Sequence, residues 1–194
     1  MVDIKGLVTP GKPSIAPTQS TLKVTGRSLC YDLESTGLEP FTDRILCISI
    51  MDVNTLEIKS FCQEDEQQLL KDFFEEVQNV TKFIGYNSQS FDAPFILQRC
   101  MFYGIKLTKE FLDIKNQVDL RKHSLGFFLS FNKFAKGRLC QWAEKFGDKI
   151  ETPNGSMMPK LFLEKKWDVI EAHCREDVIV TKRLLDRCKL CGVL

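Results

Sequence analysis

Two carboxylates stand two residues apart in the stretch Leu29–Gly37 (LCYDLESTG). The surrounding run is apolar enough for a buried strand, and alternate residues of a strand point to the same face, so Asp32 and Glu34 project together. Two acids on one buried face repel each other and lose hydration unless a cation joins them. The spacing therefore predicts a divalent-metal site at the carboxyl end of this strand, where Ser35–Gly37 turn the chain.

Two further stretches carry acids that could complete such a site. Asp92 follows Phe91 at the point where a polar loop, Asn87–Ser90, is expected to become a helix. On the last predicted helix, His173 and Asp177 are four residues apart and so share one helical face. Four acids without clustered Cys or several His suit Mg²⁺ or Mn²⁺ rather than Zn²⁺. The acids of all three stretches are therefore candidate ligands.

The composition sets the class of protein. The chain has 194 residues, is 43% hydrophobic and 27% charged, and has a formal net charge of +1, which suits one globular domain. With no basic excess, a polyanion would have to be met by local patches or by metal ions. No apolar run approaches the ~18 residues that span a bilayer, and no signal peptide is evident. We therefore expect no membrane partner and an intracellular protein, cytoplasmic or nuclear and not secreted, with its eight cysteines mostly reduced and buried.

Periodicity predicts the elements that must position these residues. Strands are expected at Arg27–Leu33, Arg44–Val53, Thr55–Cys62, Lys82–Tyr86 and Gln117–Leu120. Helices are expected at Asp65–Val80, Phe91–Tyr103, Gly137–Gly147 and Trp167–Cys191, the last of which could be broken near Ala172, and Glu151–Pro159 is expected to be a loop. Residues 1–25 are expected to form an extended arm, and residues 26–194 a single domain. The order predicts an α/β fold with a mixed five-stranded sheet, the first three strands antiparallel, and helices on both faces.

The acidic stretches together resemble the motifs of the DEDD 3′–5′ exonuclease superfamily, whose fold is ribonuclease-H-like. The first motif, D-x-E-[ST]-T-G, is matched by Asp32–Gly37, and the second, G-[HY]-N-x-x-x-F-D, by Gly85–Asp92. The third, a carboxylate on the last helix, is matched by Asp177. The resemblance covers roughly Arg27–Cys188, and Gly137–Phe146 is also similar to a helix in stand-alone relatives of the family-B DNA polymerase exonuclease domain.

The resemblance implies a metal-dependent 3′–5′ exonuclease that releases nucleoside 5′-monophosphates from single-stranded nucleic acid, with DNA favoured over RNA. It implies two divalent ions, Mg²⁺ or Mn²⁺: Asp32 would contact both, Glu34 and Asp177 would hold one, and Asp92 the other. His173 would orient or deprotonate the attacking water, which a His can do near neutral pH. The tyrosine subtype has a Tyr four residues before the last acid, and the histidine subtype a His five before it. His173 combines the tyrosine spacing with the histidine side chain.

Substrate contacts are expected around the predicted metals. The candidates are Thr36, Gly37, Leu38, Asn87, Phe91, Lys133 and Lys136. The backbone at Thr36–Gly37 would lie near the terminal nucleotide, and Leu38 could wedge against a base. The segment Phe127–Arg138 interleaves Phe with cations, as single-strand binding requires, although core packing with solvated charges is the alternative.

Two other functions stay open on the same scaffold. One is a non-catalytic module that binds nucleic-acid ends or a polymerase, and the other is an RNA-processing exoribonuclease. A full set of four acids favours an enzyme, and a replication or repair protein is a candidate partner. Single residues also have structural alternatives: Asp92 could be a helix N-cap, Asp119 a cap or a helper acid, and Asn87 a loop-stabilising residue. Cys188 and Cys191 form a CxxC that lacks two further zinc ligands.

Overall fold

The computed structural model describes residues 26–122, 137–148 and 151–194. Its strands are β1 (Arg27–Ser35), β2 (Ile45–Asp52), β3 (Ile58–Cys62), β4 (Val80–Gly85) and β5 (Gln117–Asp119). Its α-helices are α1 (Glu66–Glu76), α2 (Asp92–Tyr103), α3 (Lys109–Leu112), α4 (Leu139–Phe146), α5 (Met158–Leu163) and α6 (Trp167–Leu190). Short 3₁₀ turns cover Ile114–Asn116 and Gly155–Met157.

The five strands form one mixed sheet in the order β3-β2-β1-β4-β5. β1 pairs antiparallel with β2, and β2 pairs antiparallel with β3. β1 pairs parallel with β4, and β4 pairs parallel with β5. The predicted mixed sheet with three antiparallel strands is therefore confirmed, and β1 lies at its centre between β2 and β4.

Helices cover both faces of the sheet, and the alternation along β1 decides which side chains face which layer. Leu29, Tyr31 and Leu33 pack into the core formed with α1 and α2. Cys30 points to the other face, where it packs with α6 residues such as Val178. Since side chains alternate along a strand, the acids at positions 32 and 34 also face α6.

Several element boundaries differ from the prediction. The predicted loop Glu151–Pro159 contains a 3₁₀ turn and the start of α5. Pro159 is compatible with the helix because a proline in the first turn costs no hydrogen bond. The predicted break near Ala172 is wrong, and α6 is continuous. Its buried residues Ile170, Cys174 and Val178 recur every four positions, so packing on the sheet holds the helix through the polar residues between them.

Some sequence predictions lie outside the described residues, namely the arm at 1–25 and most of Phe127–Arg138, including Lys133 and Lys136. All eight cysteines are free, and five of them are buried. Across the described ranges, no helix is long and apolar enough to cross a membrane.

A buried ion pair ties the loop after β1 to both α1 and α2. Arg99 donates to Glu66 through Nη2–Oε2 at 2.6 Å and Nε–Oε1 at 2.9 Å. Glu66 also accepts from the backbone N–H of Ile45 at 2.7 Å and from the Tyr103 hydroxyl at 2.9 Å. Arg99 Nη1 donates to the carbonyl of Pro40 at 3.0 Å. One arginine thus satisfies a buried carboxylate and anchors the loop that borders the site described below.

We expect Arg99→Met to lower the free energy of unfolding by about 3–5 kcal/mol, because it leaves the buried Glu66 charge without its partner. Urea unfolding followed by circular dichroism measures the change. Arg175→Met is the matched control, since the Arg175 side chain is 41% exposed and lies 3.7 Å from Glu171, a pair near the surface worth less than about 1 kcal/mol. Equal losses in the two variants would contradict the structural role of Arg99.

Candidate active site

A cavity of about 800 Å³ lies at the carboxyl end of β1. Its floor carries the candidate acids Asp32 and Glu34 from β1, Asp92 from the first residue of α2, and Asp177 beside His173 from α6. Its walls are formed by residues of the 35–38 loop, the 86–91 loop, α4 and the 152–159 segment. The structure therefore brings together all five residues that the sequence singled out for metal binding and catalysis.

Asp92 joins the start of α2 to the central strand. Its Oδ1 accepts a hydrogen bond from the backbone N–H of Leu33 at 3.2 Å, and the side chain is buried. The N-cap of α2 is Phe91 and not Asp92, so the structural alternative of an aspartate N-cap is wrong. Position N1 still places a negative charge at the positive end of the helix dipole. This hydrogen bond ties the Asp92 carboxylate to the central strand.

Glu34, His173 and Asp177 offer ligand atoms that all lie within 4.8 Å of one another. His173 Nε2 is 3.5 Å from Glu34 Oε1 and 3.9 Å from Asp177 Oδ2. The helical spacing of four residues stacks the imidazole and the Asp177 carboxylate on one face of α6, and that face meets the end of β1. Two oxygens and one nitrogen therefore converge on the same small volume.

Burial raises the pKa of all four acids, and nearby carboxylates raise it further. Burial is the main cause for Asp32, whose pKa lies well above its usual range, and the nearby Asp177 raises it further. The pKa of Glu34 is also well above its usual range, again chiefly through burial. Burial raises the pKa of Asp92 and that of Asp177 to about 7. Four acids that resist ionisation together need a cation to hold them charged at neutral pH.

The donor set fits divalent ions that prefer oxygen. Carboxylates from three separate elements face the cavity, and burial lowers the pKa of His173, so its ring is neutral at neutral pH. The Cys174 thiol, which does not line the cavity, lies 3.4 Å from the Asp32 carbonyl oxygen and 3.8 Å from Asp32 Oδ2. Oxygen-rich sites with at most one nitrogen suit Mg²⁺ or Mn²⁺. Asp32, Glu34, Asp92 and Asp177 are the residues that would hold them.

We expect the metal-free protein to lose stability as the pH rises from 5 to 8. The folded acids have raised pKa values, so between pH ~4 and ~7 the folded state binds more protons than the unfolded state, and stability falls with pH. His173, whose pKa is lowered, acts in the opposite direction but is a single group against four. Thermal melting should show a fall of about 5 °C or more.

Saturating Mn²⁺ should restore most of this loss at pH 8 and have little effect at pH 5, because the ion binds only ionised carboxylates. Asp177→Asn should flatten the pH dependence of the metal-free protein. A melting temperature that is constant or rises between pH 5 and 8 would contradict the clustered acids.

A hydrogen-bonded loop forms one rim of the cavity. Glu39 N–H donates to Asp43 Oδ2 at 3.0 Å, and a Cβ added at Gly37 would lie 2.3 Å from the same oxygen, so a larger residue there would displace the Asp43 carboxylate. The loop presents Leu38, which is 83% exposed and lines the cavity. The Thr36 side chain does not line the cavity, because its hydroxyl donates to Asp43 Oδ1 and accepts from Arg44 N–H.

The opposite rim depends on Asp119. This fully buried acid accepts hydrogen bonds from the backbone N–H groups of Asn87 at 2.9 Å, Gln89 at 3.2 Å and Arg121 at 3.0 Å. It is therefore a loop-capping residue, as one of the two alternatives predicted. Asn87 adopts a left-handed backbone (φ 68°), and its Oδ1 accepts from Arg121 Nη1 at 2.8 Å. Asn87 and Phe91 both line the cavity.

A family model described as the RNase_H superfamily matches residues 29–189, a span that includes every candidate ligand. The chain belongs to the RNase_H superfamily. This membership and the observed sheet confirm the expected ribonuclease-H-like fold. Proteins of the RNase_H superfamily generally use divalent metals, which agrees with the donor set of this cavity.

The sequence is similar to that of the uncharacterized protein MJ0365 of Methanocaldococcus jannaschii. It is 31% identical over 136 residues, which are 68% of this chain and 73% of that protein. Among solved structures, the family B DNA polymerase of the hyperthermophilic archaeon Pyrobaculum calidifontis aligns with 84% of this chain at a TM-score of 0.69. The identity is 18% and the chain spans only 24% of that polymerase, so this likeness shows the fold alone.

Superfamily membership and fold together suggest nuclease activity, and the structure adds residues that sequence reasoning missed. The Thr152 hydroxyl contacts the His173 ring, and Glu176 accepts a hydrogen bond from that hydroxyl. Glu144 lies in the cavity wall. Glu176 follows His173 by three residues, so helical spacing could have identified it. Thr152 is 21 residues from the ring it contacts, and no local pattern connects the two.

Proposed function

We propose that the protein is a metal-dependent 3′–5′ exonuclease that hydrolyses the terminal phosphodiester of single-stranded nucleic acid and releases nucleoside 5′-monophosphates. The observation that carries the proposal is the convergence of Asp32, Glu34, Asp92 and Asp177 with His173 in one cavity. Acids clustered by burial are otherwise destabilising, so their arrangement is best explained by a cation-dependent reaction.

Each acid has a proposed part in holding two divalent ions. Asp32 stands at the centre of the cluster and would contact both, whereas Glu34 and Asp177 would hold one and Asp92 the other. When bound, such ions stabilise the attacking and leaving oxygens of an in-line displacement at phosphorus. The attachment of Asp92 to Leu33 and the shared helical face of His173 and Asp177 keep the donors from separating when their charges repel.

His173 is the proposed general base. Its neutral ring presents Nε2 toward Glu34 and Asp177, where it would accept the proton of the attacking water. Burial lowers the pKa of this ring, which keeps Nε2 unprotonated at neutral pH and available as an acceptor. The tyrosine-like spacing of His173 is compatible with this role because the imidazole reaches the carboxylates from the first turn before Asp177.

The cavity walls supply the proposed substrate contacts. Leu38 projects from a hydrogen-bonded loop, and an apolar side chain so exposed beside the acids suits contact with a terminal base. Gly37, Asn87 and Phe91 line the same cavity and would contact sugar, phosphate or base. Thr36 contributes through the shape of the loop, and Lys133 and Lys136 stay predicted phosphate contacts. DNA is favoured over RNA by resemblance to polymerase-linked domains.

The proposal is tested with a 5′-labelled single-stranded oligonucleotide, as matched DNA and RNA, in Mg²⁺, Mn²⁺ or EDTA. We expect a metal-dependent ladder that shortens from the 3′ end, with DNA degraded faster. A substrate with phosphorothioate linkages at its 3′ end is the polarity control and should resist digestion. Binding without cleavage in either ion would contradict the enzyme and favour the non-catalytic module, whereas faster degradation of RNA would favour an exoribonuclease.

The cellular setting is part of the proposal. Eight free thiols, most of them buried, support a reducing intracellular compartment. A replication or repair protein as partner stays a prediction, and co-purification with the full chain would test it.

A further inference from the structure

We propose that Thr152 and Glu176 are positioning residues that hold His173 in one tautomer, with the lone pair of Nε2 facing Glu34 and Asp177. The role of Nε2 as a proton acceptor rests on the proposed function. The positioning itself depends on contacts within the chain and can be measured without cleavage.

A directed chain of hydrogen bonds runs from Glu176 to the imidazole. Thr152 Oγ1 lies 2.7 Å from His173 Nδ1, and the same hydroxyl donates to Glu176 Oε2. The second oxygen of Glu176, Oε1, accepts from the backbone N–H of Glu151 at 3.2 Å. Both oxygens of Glu176 are therefore engaged by the segment that carries Thr152.

The direction of these hydrogen bonds follows from the number of hydrogens that each group can donate. An ionised carboxylate can only accept, and a threonine hydroxyl has one hydrogen to donate. Because Thr152 gives that hydrogen to Glu176, its oxygen must accept from His173, so Nδ1 carries the proton. A neutral imidazole has only one N–H, and Nε2 is then left with a lone pair.

The other side of the ring meets the candidate site. Nε2 is 3.5 Å from Glu34 Oε1 and 3.9 Å from Asp177 Oδ2, which is the side where a proton acceptor is needed. A Cβ added at Gly155 would lie 3.5 Å from Nε2, so the 151–155 segment packs along the ring from Nδ1 to Nε2. This segment, together with α6, thus determines both the orientation and the tautomer of His173.

The tautomer can be read by long-range ¹H–¹⁵N NMR on metal-free, ¹⁵N-labelled protein at a pH where the ring is neutral. The chain has two histidines, and a His123→Gln variant assigns the His173 signals. We expect the wild-type ring to carry its proton on Nδ1. Thr152→Val, which removes the hydroxyl, should give a mixture of tautomers, and Thr152→Ser should restore the wild-type spectrum.

Glu176→Gln provides the sharpest test because it should reverse the direction of the hydrogen bonds between residue 176, Thr152 and His173. The backbone N–H of Glu151 would keep the amide oxygen, so the amide NH₂ would face Thr152 and donate to its oxygen. Thr152 would then donate to His173 Nδ1, and the ring proton should move to Nε2. Glu171→Gln is the matched control, since the same change on α6 affects a half-exposed residue that lies 3.7 Å from Arg175.

Cleavage supplies a second readout. Catalytic imidazoles held in the wrong tautomer lose up to ~10⁴-fold in kcat, and we expect Glu176→Gln and Thr152→Val to lower kcat by about 10²-fold with KM changed less than about twofold. Thr152→Ser and Glu171→Gln should stay within about threefold of wild type.

An unchanged tautomer in both Glu176→Gln and Thr152→Val would overturn the proposal, as would a loss of kcat without a change of tautomer. If the wild-type chain cleaves nothing in any ion, the proposed function fails, yet the NMR spectra still decide the positioning.

Discussion

Asp32→Asn should lower cleavage of a single-stranded oligonucleotide by more than about 10³-fold while the protein stays folded. Asp177, Asp92 and Glu34 all raise the pKa of Asp32, so its carboxylate lies among the other three acids and is the one proposed to contact both ions. The amide is nearly the same size but carries no charge, so metal binding is lost and the packing is kept. Initial rates on 5′-labelled DNA with Mn²⁺ measure the effect.

The same variant makes an opposite prediction for stability. Because burial and neighbouring acids oppose ionisation of Asp32, the neutral amide should raise the melting temperature of the metal-free protein at pH 8. Mn²⁺ should no longer raise it further. Asp186→Asn is the matched control, since this acid on α6 is exposed and contacts Lys182 at 2.6 Å. Cleavage within threefold of wild type in Asp32→Asn would refute the metal role.

His173→Ala should lower kcat by about 10²–10⁴-fold, the range that a positioned general base contributes. The four acids stay in place, so Mn²⁺ should still raise the melting temperature at pH 8 by nearly the wild-type amount. Single-turnover cleavage and thermal melting in the presence and absence of Mn²⁺ give the two measurements. The contrast with Asp32→Asn, which should lose both, separates proton transfer from metal binding.

Two outcomes would contradict this assignment. A His173→Ala variant with wild-type kcat would show that another group or bulk water takes the proton. Loss of the Mn²⁺-induced melting shift would show that Nε2 is itself a metal ligand. The distance of 3.5 Å between Nε2 and Glu34 Oε1 is compatible with that role. His173→Gln, which keeps a polar side chain at this position, is the companion variant that excludes simple loss of packing.

Much of the fold could be predicted from short-range patterns. The apolar pattern of Arg27–Leu33 predicted β1, and that of Asp65–Val80 predicted α1. Apolar residues recur about every two positions on one face of a strand and about every 3.6 positions on one face of a helix. Boundaries were less accurate: α1 ends at Glu76, and the predicted loop at Glu151–Pro159 contains part of α5. Short helices such as α5 are held by tertiary packing, since buried Met158 and Leu161 are too few to form a repeating pattern.

The candidate site also has one part that the sequence predicted and another that it did not. Spacing alone placed Asp32 with Glu34 on one strand face, and His173 with Asp177 on one helical face, because these relations are set by backbone geometry. That Asp92 would accept from Leu33 N–H, or that Asp119 would cap the Asn87 loop, depends on strands and helices meeting in space. No periodicity within a segment carries that information.

The sequence by itself thus determined the mixed sheet, the antiparallel arrangement of its first three strands, and the chemical types and local spacing of five candidate residues. Only the tertiary structure decided that these residues share one cavity, that burial raises the pKa of the acids, and that Thr152 and Glu176 stand behind His173. The physical reason is that local spacing follows from the backbone of one element. Burial, electrostatic coupling and hydrogen-bond direction arise only when the side chains of separate elements come within a few ångströms of one another.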